Sequence, residues 1–158
     1  MDIKLIPATI EDLEEILALQ KIAYRSEAEI HDDFSIPPLH QTLSEIREEF
    51  QQQLFLKVVE QEKIIGSVRA YEKNRTCFIG KLIVDSAFQN QGIGTKLLFE
   101  IEKRFEHVKR FELFTGYKSK KNLYLYNKHS YKEFKKDTIS DKLTLVFLEK
   151  YQKLYSSF

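Results

Sequence analysis

The sequence predicts an α+β fold, a mixed and mostly antiparallel central sheet flanked by helices. Two patterns carry that prediction. Between residues 54 and 84, three strand-like runs follow one another with only short polar turns between them. An amphipathic helix, a strand and a further helix come next, before two final strands. Strands joined by tight turns pair antiparallel, whereas a strand–helix–strand unit supplies a parallel pair. The expected order is β-α-α-β-β-β-α-β-α-β-β.

The chain has 158 residues, which suits one domain over 1–158 with one sizeable core. Its 25 basic and 24 acidic residues leave a net charge of +1, without the basic excess of a dedicated nucleic-acid binder. Cys77 is the only cysteine, which excludes an intrachain disulfide and a cysteine metal cluster; no metal is expected. Neither a signal peptide nor a run of about 18 apolar residues is seen. The expectation is a cytoplasmic protein with no membrane partner.

Ile3 and Leu5, stopped by Pro7, suggest a first strand. Thr9 with Asp12 reads as a shortened capping box, opening a helix over 10–26 on Leu13, Ile16 and Leu17. Residues 27–39 carry Glu27, Glu29, His31, Asp32, Asp33, Pro37 and Pro38, and read as an acidic loop. Thr42 or Ser44 caps a second helix through Phe50. Leu54–Val59, Ile64–Tyr71 and Cys77–Val84 are the three consecutive strands. After Gly92, Ile93, Leu97, Leu98, Ile101 and Phe105 form the stripe of a helix facing a sheet. Arg110–Thr115 alternates as a strand, Ser119 caps a helix with Leu123 and Tyr126, and Tyr131–Lys135 and Leu143–Leu148 end the pattern. The aromatics Tyr151, Tyr155 and Phe158 then cover either the domain's own core or a partner subunit.

The chemistry-bearing segment is Gln89–Thr95, where a strand passes through two glycines into a helix. The first N–H groups of a helix lack intrahelical partners, and glycine admits a phosphate close to the main chain. A P-loop needs a glycine five positions before Gly94 and a Lys-Ser/Thr pair after it, and neither is present. A dinucleotide fingerprint would want a small residue where Leu97 stands. Gln89-Asn90-Gln91-Gly92-Ile93-Gly94 instead matches Q/R-x-x-G-x-G/A.

With Leu82-Ile83-Val84 before it and Ser119–Tyr131 after it, this segment resembles the GNAT superfamily of acetyl-CoA-dependent N-acetyltransferases. The resemblance covers nearly the whole chain and is strongest over 76–134. Two positions depart from the family pattern: Ser86 stands where proline is frequent, and Ser130 where glycine precedes the aromatic Tyr131. The resemblance implies the GNAT (acyl-CoA N-acyltransferase) fold, with the Cys77–Val84 and Arg110–Thr115 strands splayed around the cofactor.

It also implies roles. Gln89, Asn90, Gln91, Gly92, Ile93, Gly94 and Thr95 would hold the pyrophosphate, and the backbone of Leu82, Ile83 and Val84 the pantetheine arm. The Val84 N–H would steady the thioester oxygen. Asn122 would contact the cofactor, and Lys128, with Lys120 or Lys121, its 3′-phosphate. Tyr126 would protonate the departing sulfur, where the plain alternative is a packed helical tyrosine. Glu27 and Glu29 would wall the acceptor site, and together with His31, Asp32 and Asp33 they would attract a cationic amine as a group; a solvated acidic loop is the plain alternative. Glu72 is a further candidate base, and Cys77 is read as a buried hydrophobe rather than an acyl carrier. The expected activity is acetyl transfer to a primary amine of a small-molecule acceptor by a monomer or homodimer. The other readings are a non-catalytic acyl-CoA sensor of the same fold and, more remotely, a different nucleotide-binding enzyme.

Overall fold

The computed structural model describes residues 2–152. Seven strands form one mixed sheet in the order β1-β2-β3-β4-β5-β7-β6. They are β1 (Ile3–Pro7), β2 (Leu54–Glu60), β3 (Lys63–Lys73), β4 (Thr76–Val84), β5 (Arg110–Gly116), β6 (Lys132–Thr138) and β7 (Thr144–Tyr151). The helices are α1 (Leu13–His31), α2 (Pro37–His40), α3 (Leu43–Gln52), α4 (Ile93–Arg104) and α5 (Lys120–Lys128). The sheet has one parallel pair, β4 with β5, as the strand–helix–strand unit requires. Pro7 lies in β1, an edge strand that tolerates a missing N–H.

Helix ends mostly follow their caps. The Asp12 carboxylate accepts from the Thr9 N–H at 2.7 Å, closing the box before α1. Thr42, not Ser44, caps α3: its hydroxyl accepts from the Glu45 N–H while Glu45 accepts from the Thr42 N–H. Residues 27–31 are helical rather than loop. Glu27 to His31 contain no breaker, glutamate propagates a helix well, and the chain turns only at Asp32 with φ 50°. Pro37 then opens the short α2 from its first turn. Ser119 makes no capping bond with its side chain; that hydroxyl is drawn to Glu27 instead.

Helix α4 buries Ile93, Leu97, Leu98 and Ile101 against the sheet, in one core with Leu56, Val68, Phe111 and Leu148. Helix α1 buries Leu13, Ile16 and Leu17 in a second core with Ile46, Phe55 and Ile83. Ile83 therefore faces the α1 side, while Leu82 and Val84 pack half-buried on the α4 side. Residues 153–158, with Tyr155 and Phe158, lie outside the described residues; Tyr151 ends β7, half exposed.

Candidate active site

Two irregularities in β4 build the site. First, β4 and β5 pair only through Thr76–Arg110, Cys77–Phe111 and Phe78–Glu112. Beyond that point β5 stays paired to β7, and β4 to β3, so the sheet opens between β4 and β5. Second, Ser67 pairs with Ile83 but Arg69 pairs with Gly80, so β4 carries one extra residue. Lys81 takes φ 45° in this bulge. Past the bulge the Asp85 N–H donates to the Ile65 carbonyl. Antiparallel alternation then turns the Val84 N–H away from β3, toward the opening.

The opening continues into a cavity of about 830 Å³. It is walled by α1, the α2 segment, β3, β4, β5, α5 and the β6–β7 turn. Of the residues expected at the site, Glu27, Leu82, Asn122 and Tyr126 line it. Asn122 donates to the Thr115 hydroxyl at 3.1 Å, fixing α5 on β5, and Tyr126 follows one turn later on the same face. Tyr126 is only 5% exposed, whereas Tyr124, two residues away, is 70% exposed. Burial, reinforced by Tyr24 and Glu27, holds the Tyr126 hydroxyl well above the ordinary phenol range.

Glu27 and Glu29 part company. Residues two apart on a helix point about 200° from each other. Glu27 turns inward and accepts from the Ser119 hydroxyl at 3.0 Å. Glu29 turns to solvent and pairs loosely with Arg25 at 3.8 Å. Asp32 pairs with Lys142, and Asp33 accepts from the Ser35 hydroxyl and N–H, so the acidic segment does not act as a group. Glu72 pairs with His107 at the exposed end of β3, outside the cavity. Cys77 is buried in the main core, and burial pushes its thiol far up, which suits a hydrophobe rather than a nucleophile.

The glycine-rich turn lies at the outer end of the opening. Gly92 has φ 80°, and a Cβ there would meet nothing, so conformation and not space demands this glycine. At Gly94 a Cβ would meet Leu125 at 3.5 Å, an ordinary contact, so neither space nor conformation demands glycine there. Gln89, Asn90, Gln91 and Gly92 are exposed at the start of α4, and Ile93 is buried beneath them. Lys121 donates to the Gln89 amide oxygen at 3.0 Å, which brings a cation beside the turn. Thr95 meets His129 at 3.2 Å, with the exposed Lys128 adjacent in the chain. Ser130 adopts φ 74°, the conformation glycine would take, and the Tyr131 N–H still closes on the Tyr126 carbonyl at 3.0 Å. The substitution therefore leaves the helix end intact.

Several cavity residues escaped the sequence reading. Tyr24 projects from α1, and burial, with Glu27 adding to it, pushes its hydroxyl up to about 12 despite the nearby Arg69 cation. His31 is buried; its Nδ1–H donates to the Glu27 carbonyl at 3.0 Å and its Nε2 accepts from the Lys118 N–H at 3.2 Å. Arg69 is 1% exposed, stacks 4.4 Å over Phe55, and bonds Glu49, Gln41 and Gln20. Lys81 reaches Glu49 at 3.4 Å. The available signal was a charge inside an apolar run: Arg69 within Ile64–Ala70, and Lys81 within Phe78–Val84.

A sheet opened beside a glycine-led helix start, with a buried tyrosine lining the opening, is the architecture of an acyl-CoA-utilising transferase. The chain belongs to the acetyltransferase (GNAT) family, whose sequence profile matches residues 12–131. Solved structures share the fold. An acetyltransferase of the GNAT family from Staphylococcus aureus Mu50 is 18% identical with TM-score 0.77, covering 96% of this chain and 100% of that one. The paia N-acetyltransferase of Thermoplasma acidophilum, in complex with coenzyme A, is 20% identical with TM-score 0.72, covering 96% and 100%. The ribosomal-protein-alanine N-acetyltransferase of Brucella melitensis is 15% identical with TM-score 0.75, covering 94% and 99%. A search of curated proteins finds no match to this sequence. Among the described residues, no group of His, Cys, Asp and Glu is arranged to hold a metal ion, and no helix is long and apolar enough to cross a membrane.

Proposed function

We propose that this protein transfers the acetyl group of acetyl-CoA directly to the primary amine of a small-molecule acceptor. The observation that carries this reading is the opening between β4 and β5, whose unpaired β4 backbone leads from the α4 cradle to Tyr126. The residues present fit the cofactor. The first-turn N–H groups of α4, freed by the left-handed Gly92, suit a pyrophosphate. Lys121 and Lys128 flank that turn, and the Val84 N–H suits an amide of the pantetheine arm.

When bound, acetyl-CoA supplies a thioester carbon for the amine to attack. The protein's residues then have three tasks. An alkyl ammonium of pKa about 10 must lose a proton before it attacks. Glu27 is the carboxylate on α1 that faces the cavity, and it accepts that proton. As the new N–C bond forms, the carbonyl oxygen gains charge and needs an N–H donor. Leu82 lines the cavity with Tyr126, whereas Val84 lies about 6.6 Å along the strand toward the cradle. Lys81 and Leu82 also fall outside the paired register. The backbone at Leu82 thus suits the oxygen better than the Val84 N–H. As the C–S bond breaks, Tyr126, kept protonated by its burial, gives its proton to the sulfur, and the second proton that the nitrogen sheds on becoming an amide restores the phenol.

Thiol release from acetyl-CoA tests this reading. Tyr126→Phe lowers turnover tenfold or more with little change in acetyl-CoA affinity. Unchanged turnover removes Tyr126 from the mechanism, and acetyl-CoA binding without turnover on any amine removes the transfer itself.

A further inference from the structure

The charges on the cavity wall are divided between two poles. At one, Arg69 and Lys81 share a single carboxylate, Glu49, at 3.1 and 3.4 Å. The arrangement leaves a surplus positive charge. Arg69 is buried with its Nε–H unpartnered, and Lys81 spends one ion pair on Glu49 while its side chain remains 25% exposed on the cavity. The other acids of the wall are engaged elsewhere: Glu112 pairs with Arg110 at 2.8 Å, and Glu45 closes the α3 capping box. At the other stands Glu27, its side chain held only by the Ser119 hydroxyl, with no cationic partner among the described residues.

The rest of the wall is largely apolar and aromatic. Tyr71 and Phe78 stack at 5.2 Å, and Tyr24 and Leu113 complete the surface. Lys81 owes its reach to the bulge: the extra residue, at φ 45°, takes a lysine out of the regular alternation of β4 and sets it against α3. A non-glycine residue held in that conformation at a cavity wall is strain retained at a functional position.

We propose that the acceptor is an aminocarboxylate with an apolar or aromatic body. This rests on the acetyl-transfer reading above. The ammonium lies toward Glu27, where it loses its proton, and the carboxylate lies against the Lys81 ammonium, with the buried Arg69 charge behind it. A decarboxylated amine would leave the positive pole uncompensated, and a polycation would be repelled by it. The acidic segment of α1 therefore does not select a cationic acceptor; Lys81 and Arg69 select an anionic group on it.

Calorimetric titration of the CoA-saturated protein tests the proposal without turnover. The probes are N-acetyl-L-phenylalanine and N-acetyl-L-leucine, each against its carboxamide. At least one acid binds tenfold or more tighter than its amide. Lys81→Met, checked for folding by circular dichroism, brings acid and amide within twofold, and Lys81→Arg keeps the preference. Equal binding of acid and amide in both pairs, absence of binding by all four, or a preference that survives Lys81→Met overturns the proposal. Thiol release on L-phenylalanine and phenethylamine separates the two readings. Release with phenethylamine and none with the acid overturns the aminocarboxylate and leaves acetyl transfer standing. Release with no amine, alongside a Lys81-dependent acid preference, sinks transfer and keeps the carboxylate site.

Discussion

Gly116 and His31 form the tightest fit near the site, and Gly116→Ala probes it. Gly116 ends β5, buried, and a Cβ there would lie 2.3 Å from His31 Nε2 and 2.4 Å from Cε1. Ordinary contact needs more than an ångström beyond that, so the imidazole must leave its place. It cannot do so freely. Its two ring nitrogens are both engaged, one with the Glu27 carbonyl and one with the Lys118 N–H. Each bond is worth about 1 kcal/mol net, and forcing an extra methyl into a packed site costs about 1–3 kcal/mol. The expected loss is about 3–5 kcal/mol. For a chain of this size that lowers Tm by roughly 6–20 °C. Urea unfolding with a matched thermal scan measures it. The double variant His31→Ala/Gly116→Ala provides the internal control: with the ring gone, the added methyl has room and costs almost nothing beyond His31→Ala alone. A single variant within 1 kcal/mol of the parent, or a double variant whose losses simply add, refutes the argument. Because His31 ties the backbone of Glu27, on the cavity, to that of Lys118, the single variant is also expected to lower the acetyl transfer proposed above.

Two further expectations concern stability alone. Ser130→Gly relieves a left-handed serine at φ 74° and raises stability by about 1 kcal/mol, roughly 2–4 °C in Tm; a neutral or destabilising result in a thermal scan contradicts it. Asp12→Asn removes the charge of a 2.7 Å pair with Lys57 and weakens, without abolishing, an equally short bond from the Thr9 N–H. Burial pushes the Asp12 carboxyl up, but Lys57 and Thr9 together hold it below its ordinary value. A carboxyl lowered on folding stabilises above its unfolded pKa, and that contribution fades as pH falls through the folded one. The variant is therefore less stable than the parent at pH 7 by about 1 kcal/mol, and the gap closes below the ordinary carboxylate range. A gap that stays constant in urea unfolding down to pH 2.5 contradicts the assignment.

Local sequence determined the elements and the segment proposed to hold the donor. Helix caps at Thr9 and Thr42, the stripe of α4 and the alternation of the strands act over three to seven residues, so a single chain displays them. Gln89–Gly94 was legible for the same reason, since the phosphate cradle proposed there is contiguous backbone. Asn122 and Tyr126, one turn apart, shared a face that helical spacing alone specified. The acidic segment was misjudged because charge density looks the same in a helix as in a loop; only the absence of a breaker before Asp32 separates the two.

Tertiary structure decided the acceptor side. Which of Glu27 and Glu29 turns inward depends on how α1 rolls against the sheet, and Ser119 left its cap for Glu27 from 92 residues away. Lys81 meets Glu49 across 32 residues, through a bulge that Gly80 marks in the sequence without telling which side chain it re-aims or onto what. Arg69 gathers Gln20, Gln41 and Glu49 from three separate segments, so its meaning is absent from any one of them. The donor site we propose consists of main-chain groups whose placement follows from local conformation. The acceptor site we propose consists of side-chain charges brought together by long-range packing, and that is the part which the chain reveals only once folded.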